Sequence, residues 1–252
     1  MHRNELENLL NEWLKPSEFK DSATNGLQIE GKEDIHHIVC GVSANLALIE
    51  QAVACGADAL VVHHGLFWEP GLLKIRGWAG QRIARLINAR VNLFAFHLPL
   101  DAHPTIGNNA ALADVLGLDA SREPFGVYKG KEIGFSGSLK KPCSLSTMLD
   151  LIETKIGEPV AVFGDLHQTI KTVGVCSGGA PDLLSEAIEK GLDLFVTGEV
   201  TEWVKAMSDE TGVAFVAAGH HATERFGVQN VARKLAEQPD LTAEFVDVPN
   251  PV

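Results

Sequence analysis

The chain has 252 residues, of which 45% are hydrophobic and 21% are charged, and its formal net charge is −12. A chain of this length forms one large or two small domains, whose core needs neither disulfides nor a structural metal to fold. The acidic balance argues against a nucleic-acid partner, no apolar run suits a membrane helix, and the acidic start lacks a signal-peptide pattern, so we expect a cytosolic globular protein.

The first half of the sequence alternates short apolar strands with amphipathic helices. A helix is predicted at the start, in MHRNELENLLNEWL. After it come the strand IVCGVS (38–43), the helix NLALIEQAVACG, the strand ALVVHHG, the helix GQRIARLINARV, the strand NLFAFHL and a helix near GNNAALADVLG. Continuously apolar strands suit burial on both faces, and this order is typical of a parallel or mixed sheet covered by helices.

The second half repeats this plan. TVGVCSGGAPDLLSEAIEKGLDLFVTGEV aligns with HIVCGVSANLALIEQAVACGADALVVHHG, with Gly191 in the place of Gly56, and VAFVAAGHH parallels NLFAFHLPL. The order of strand, turn, helix, Gly-x-Asp and strand is kept although few residues are identical. We therefore predict an α/β protein with two similar halves, residues 1–125 and 126–252, each a mixed sheet flanked by helices. The last segment, with His220 and Glu224, is expected to pack back on the first half.

Titratable side chains gather where the predicted strands end, and ligands of open α/β sheets collect beyond the carboxyl ends of strands. These ends carry His63–His64, then His97 with Asp101 and His103, then Glu199, and last His220–His221 with Glu224. A further pair, His36–His37, precedes a strand; we expect no carboxylate to lie beside it and interpret it as a chance pair.

Three histidines and two carboxylates are a suitable ligand set for two divalent cations such as Zn, Mn, Fe, Co or Ni: His63, His64, Asp101, His220 and Glu224. Adjacent imidazoles reach one region only where a strand ends, and Gly65 permits that bend. His220 and Glu224 are spaced i, i+4, which places them on one helical face. A carboxylate bridging two metals ~3.5–4 Å apart would hold a shared water for attack, and Glu224 is the candidate bridge.

Several other groups have open roles. His97 is a candidate acid–base group, or a residue that orients Asp101. Glu199, which takes the place of His64 in the repeat, is a candidate general base, a support for a metal ligand, or a solvated carboxylate. The turn SGGAP (177–181) either holds a phosphate on its amides or is structural. The four cysteines form no CxxC pair and are interpreted as small buried hydrophobes in a reducing compartment.

Seven stretches together resemble one family: TNGLQIEG (24–31), VVHHG, HLPLDAH, GNNA, TGE, GHHATE and the tail PNPV. They are similar to the GTP cyclohydrolase 1 type 2 homologues, also called the Nif-three-like family, and above all to its bacterial YbgI branch. The resemblance implies a dinuclear metal site in a cleft between the halves, bound by the same five residues, and a ring-shaped homohexamer around a central cavity. Longer members carry an inserted middle domain, for which this chain has no room.

Three functions remain open. The first is a metal-dependent hydrolase acting on a nucleotide-like small molecule such as GTP, whose purine C8 a metal-bound hydroxide could attack. The second is a metal-binding or metal-delivery protein without turnover. The third is an assembly or interaction ring. No stretch of the sequence specifies a guanine pocket, so the substrate is expected only at the level of its class.

Overall fold

The computed structural model describes residues 1–69, 71 and 74–252. The chain divides into two compact units, Met1–Leu100 with Gly227–Val248, and Asp101–Phe226 with Pro249–Val252. The boundary expected at 125/126 falls inside a strand, and the units divide at 100/101. His220 and Glu224 belong to the second unit, and only the segment Gly227–Val248 that follows returns to the first.

The strands, in chain order, are β1 (Gly26–Ile29), β2 (His37–Ser43), β3 (Ala59–His64), β4 (Asn92–Ala95), β5 (Glu123–Tyr128), β6 (Lys131–Ser144), β7 (Ala161–Phe163), β8 (Thr169–Val175), β9 (Leu194–Thr197), β10 (Ala214–Ala217) and β11 (Thr242–Phe245). Each strand and helix predicted for the first half is observed, within a few residues of its expected bounds.

The α-helices are α1 (Arg3–Leu14), α2 (Leu46–Ala54), α3 (Gly77–Ala89), α4 (Leu98–Asp101), α5 (Asn108–Val115), α6 (Leu145–Lys155), α7 (Leu184–Glu189), α8 (Val204–Thr211), α9 (His220–Thr223) and α10 (Arg225–Ala236). Short 3-10 helices occupy Pro16–Glu18 and Pro181–Leu183. Within the described ranges, none of these helices has the length and apolar character needed to cross a membrane.

The sheet of the first unit has the strand order β1-β4-β3-β2-β11. β4, β3, β2 and β11 pair in parallel, and β1 is antiparallel to β4. Apolar side chains of β2, β3 and β4 pack against α2 and α3 to form a core that includes Leu48, Leu60, Ile83 and Leu93. Because β3 and β4 are parallel, their carboxyl ends lie at the same edge of the sheet.

The sheet of the second unit has the order β5-β6-β8-β9-β10-β7. β8, β9 and β10 are parallel, and β5, β6 and β7 pair with their neighbours in antiparallel fashion. The core includes Leu145, Met148, Val173 and Val196, so α6 covers this sheet. The segment after α5 forms the β5–β6 hairpin, and the predicted fold of two mixed sheets flanked by helices, with no inserted middle domain, is confirmed.

The same carboxylate brace appears in both units. Asp58 Oδ2 accepts hydrogen bonds from two consecutive backbone N–H groups where β2 begins, at 2.9 and 3.0 Å. Asp193 Oδ2 accepts from two consecutive N–H groups of β8, at 2.8 and 2.9 Å. Each aspartate follows a glycine with positive φ, 77° at Gly56 and 64° at Gly191. The Gly-x-Asp repeat therefore fastens the amino-terminal edge of each set of parallel strands.

Candidate metal centre

Three imidazoles gather in the first unit, where β3 and β4 end. His63 and His64 are the last residues of β3, and His97 follows β4. The ring centroids are 4.5 Å apart for His63 and His64, 5.1 Å for His63 and His97, and 5.7 Å for His64 and His97. One nitrogen from each ring lies within 4.8 Å of the other two, so the group could hold a metal ion. Two predicted ligands thus lie beside the predicted acid–base group.

Each of these imidazoles is held through Nδ1. His63 Nδ1 lies 2.9 Å from a backbone carbonyl oxygen, His64 Nδ1 lies 3.0 Å from Ser43 Oγ, and His97 Nδ1 lies 2.9 Å from Asp21 Oδ1. A carbonyl or a carboxylate oxygen only accepts, so Nδ1 of His63 and of His97 carries a proton, and Nε2 is the nitrogen with the lone pair when the ring is neutral. Histidines that bind metals are usually oriented in this way.

Asp21 is a site residue that sequence analysis missed. Its side chain is 2% exposed and accepts hydrogen bonds from His97, from the Asn25 amide and from two backbone N–H groups. Burial by itself raises the pKa of a carboxyl, but these hydrogen bonds outweigh it and hold the pKa of Asp21 well below its usual range. Asp21 is therefore an anion that fixes the ring of His97.

Gly65 lets the turn after His64 approach β1 closely. A Cβ at position 65 would lie 2.4 Å from Gln28 Oε1, the atom that accepts the next backbone N–H of the turn at 2.8 Å. The Trp68 indole donates to the Gly65 carbonyl at 3.0 Å. Its ring centroid lies 5.8 Å from that of His64 and 4.9 Å from that of His97. A flat aromatic ring therefore borders the imidazoles.

The second unit joins one imidazole to two carboxylates. His220 begins α9, its Nδ1 lies 2.6 Å from Glu199 Oε1, and its Nε2 lies 3.2 Å from Glu224 Oε2. The Glu224 side chain is 3% exposed. Burial by itself lowers the pKa of an imidazole, but the two carboxylates outweigh it and raise the pKa of His220 to about 9. A cation that binds His220 must therefore displace a proton.

The SGGAP turn makes room for these carboxylates. Gly178 has a φ of 67°, and a Cβ there would lie 2.2 Å from Glu224 Oε1. A Cβ at Gly179 would lie 3.1 Å from Glu199 Oε2. Three backbone N–H groups of the turn donate to protein side chains, at 2.6, 3.0 and 3.3 Å. These contacts favour the structural role of the turn over a phosphate site.

Asp101 is 4% exposed and is supported by the GNNA motif. Its Oδ1 accepts from Asn108 Nδ2 at 2.9 Å and from Ser177 Oγ at 3.2 Å. Asn109 accepts the Ser177 N–H at 2.6 Å and donates to a backbone carbonyl at 2.7 Å. Both asparagines are fully buried. Neither asparagine was predicted to have a role, although two polar residues among the apolar ones of a buried helix were a usable signal.

The remaining histidines of the predicted clusters make structural contacts. His103 Nδ1 accepts from the backbone N–H groups of Thr105 and Ile106, at 3.2 and 3.1 Å. The His221 N–H donates to the Val252 carbonyl at 3.0 Å, which ties the PNPV tail to the second unit.

Each unit thus places imidazoles or carboxylates at the carboxyl ends of parallel strands, as α/β proteins with a ligand site do. The sequence matches the Duf34/NIF3 (NGG1p interacting factor 3) family over residues 1–251, and the chain belongs to that family. The family predicted from the sequence motifs is confirmed.

The similarity to relatives and to solved structures extends over nearly the whole chain. A Neisseria meningitidis serogroup B protein named GTP cyclohydrolase 1 type 2 homolog is 46% identical over 241 residues, which cover 96% of this chain and 95% of the relative. An Escherichia coli K12 protein of the same name is 41% identical over the full length of both chains. The solved structure of protein ybgI, described as of unknown function, has a TM-score of 0.93 at 41% identity and full coverage of both chains. TTHA1606 from Thermus thermophilus has a TM-score of 0.90 at 34% identity, also with full coverage of both.

Proposed function

We propose that this chain is a metal-dependent hydrolase that binds two divalent cations and acts on a nucleotide-like substrate. The proposed ligands are His63, His64, Asp101, His220 and Glu224. The observation that carries the proposal is the Nδ1 bonding of His63 and His64 in the first unit, because this is how proteins hold histidines that bind metals. Imidazole and carboxylate donors fit Zn, Mn, Fe, Co or Ni.

The protein's own residues would then handle protons. Two divalent cations in such a site polarise a substrate oxygen and make hydroxide available near neutral pH. His97 would accept or return a proton at Nε2, because the Asp21 carboxylate holds the ring in place through Nδ1. Glu199 would orient His220 through Nδ1, as carboxylates commonly do behind metal-binding histidines.

A purine substrate is supported by two observations. Relatives are named GTP cyclohydrolase 1 type 2 homolog, which points to a guanine nucleotide. The Trp68 indole beside His64 and His97 offers a flat ring on which a base can stack, an interaction worth ~1–3 kcal/mol. A Trp68→Leu variant should raise KM for a nucleotide substrate more than it lowers kcat.

The test is metal analysis of untagged protein purified without chelators, followed by a nucleotide hydrolysis screen with the metal found. Two ions per chain and metal-dependent turnover are expected. Glu224→Gln should lose both ions and turnover, whereas Glu237→Gln, on an exposed residue, should lose neither. Bound ions that exchange without any turnover would favour metal delivery over hydrolysis. A protein without bound ions that gains none on titration would overturn both functions.

We also propose a homohexameric ring located in the cytosol. The ring is supported by the motif resemblance, and the cytosol by the four cysteines, which are all free thiols, as is typical of a reducing compartment. Light scattering at micromolar concentration should give six times the 27.1 kDa mass of one chain. A mass of one chain would exclude the ring.

A further inference from the structure

A second group of metal-binding side chains lies in the first unit. His37, Cys55 and Glu244 each offer one ligand atom, and these atoms all lie within 4.8 Å of one another. His37 Nε2 is 2.9 Å from Glu244 Oε1. His37 begins β2, Cys55 caps the carboxyl end of α2, and Glu244 lies on β11.

This group is far from the three imidazoles of the same unit. β2 and β3 are parallel, and Ser43 at the end of β2 is opposite His64. β2 runs for 7 residues from His37 to Ser43, which is ~20 Å at ~3.3 Å per residue. The three imidazoles therefore lie at the carboxyl ends of the parallel strands, and His37, Cys55 and Glu244 lie toward the opposite ends of the strands in the same sheet.

His37 and Cys55 both differ from what the sequence led us to expect. His37 does have a carboxylate beside it, because β11 pairs in parallel with β2 and brings Glu244 back from 207 residues later. Cys55 is exposed rather than buried, because α2 ends there at the surface. Cys143 is half-buried, and Cys40 and Cys176 are buried as expected.

We propose that His37, Cys55 and Glu244 form a binding site for a zinc-like divalent cation. A thiolate, an imidazole and a carboxylate are the donors that zinc takes, whereas magnesium and calcium prefer oxygen ligands throughout. On binding, the cation takes the Cys55 thiolate and the thiol proton passes to solvent.

The geometry needs only small adjustments. Donor atoms around a tetrahedral zinc ion lie roughly 3.3–3.6 Å apart, given bonds of about 2.0–2.3 Å. To bind zinc, the two ligand atoms farthest apart, which are at most 4.8 Å from each other, must therefore move closer together. His37 Nε2 and Glu244 Oε1, now 2.9 Å apart, must move slightly farther apart. The side chains of Cys55 and Glu244 are exposed and can make these shifts by rotation. Solvent supplies the fourth ligand, so the site is open to exchange.

A cation at this site would tie three elements of the first unit together. β11 belongs to Gly227–Val248, the segment that rejoins the first unit after the chain has formed the second. The ion would link β11 to β2 and to the end of α2. Binding to the folded state alone stabilises it, so the cation should raise the melting temperature of the protein.

Cobalt(II) is the probe, because a thiolate ligand adds a charge-transfer absorption band in the near ultraviolet that imidazole and carboxylate ligands do not. As cobalt is added, reduced, untagged, full-length protein should develop this band to a final intensity of one thiolate-bound cobalt per chain. Cys55→Ser should abolish the band, and the control Cys143→Ser should keep it. His37→Gln should weaken the binding that produces the band by at least ~10–100-fold, while His36→Gln should not.

Several results would overturn this site. They are the absence of the band, a band that survives Cys55→Ser, and a His37→Gln variant that titrates like the unmodified chain. A band whose intensity per chain rises with protein concentration would place the thiolate between two molecules and would also overturn it. Glu224→Gln should retain the band, so failure of the proposed dinuclear centre leaves this test unaffected.

Discussion

Asp21→Asn removes one charge with little change of shape, and the hydrogen bonds show why this matters. Oδ1 of Asp21 accepts from the Ala23 N–H and from His97, and Oδ2 accepts from Asn25 and from the Leu98 N–H. An asparagine offers one oxygen and one NH₂ group. Whichever way the amide turns, its NH₂ faces two donors that have lost their acceptor.

The expected loss of stability follows from that count. A buried polar group left without its partner costs ~1–3 kcal/mol, so the variant should lose about 2–4 kcal/mol after some relaxation of the 21–25 loop. At ~2–4 °C per kcal/mol for a chain of this size, the melting temperature should fall by roughly 5–15 °C.

The pH dependence has a definite sign. Because the pKa of Asp21 is lowered in the folded state, its contribution is complete above the unfolded value near ~4 and is lost as pH falls further. The difference between the unmodified chain and the variant should therefore shrink below about pH 4.

Urea unfolding of metal-free protein at pH 7 and at pH 3 measures both effects. Asp150→Asn, on an exposed aspartate of α6, is the control and should change stability by no more than ~0.5 kcal/mol. The variant should also alter the proton position on His97, which nitrogen NMR of the imidazole detects. A variant as stable as the unmodified chain at pH 7, with the His97 ring unchanged, would refute the anchoring role of Asp21.

Four further outcomes are expected. Gly178→Ala should displace Glu224, because the new Cβ would lie 2.2 Å from Glu224 Oε1 and the φ of 67° at position 178 disfavours any side chain. Metal analysis of the variant should show fewer bound ions than in the unmodified chain. Full occupancy of both metal positions would contradict this account. Metal affinity should rise with pH up to about 9, because a proton on His220 competes with the cation. Titration calorimetry in buffers of different ionisation enthalpy should detect the release of this proton when the metal binds. If no proton is released at pH 7, the two carboxylates do not raise the pKa of His220 as described. His97→Asn should retain both metals and lose turnover by ~10²–10⁴-fold if His97 moves protons; unchanged turnover would make it a bystander. Chelated protein should still melt cooperatively, because its core does not depend on metal; loss of native circular dichroism would show the reverse.

The elements that sequence patterns predicted are those with continuous apolar runs. β2, α2 and β3 were located because their apolar residues and glycine turns recur in the second half. β11 was not located, because Thr242–Phe245 is short and half polar, and its register depends on a partner strand far away in the chain. The boundary between the two units was not predicted either, because α10 and β11 join the first unit by tertiary packing between residues far apart in the chain.

The candidate metal-binding residues were predictable from the sequence, because paired histidines at the ends of apolar strands are rare. The residues that hold them were not. Asp21 and His97 are 76 positions apart, and Asn109 and Ser177 are 68 apart. A lone aspartate in the loop DSATN looks like any solvated loop residue until the fold brings a histidine to it. Which nitrogen each imidazole presents is likewise set by such distant acceptors.

The brace formed by Asp58 and Asp193 has a consequence for how the two units can diverge. It secures the parallel strands at the ends opposite the imidazoles and carboxylates of the candidate dinuclear centre, by bonds to the main chain that do not depend on which side chains the strands carry. The brace and the residues of that centre thus lie at opposite ends of the same strands. The carboxyl-terminal ends are free to differ, and they do. His64 in one unit and Glu199 in the other occupy corresponding positions of the sequence repeat. The same framework therefore carries an imidazole at this position in the first unit and a carboxylate in the second.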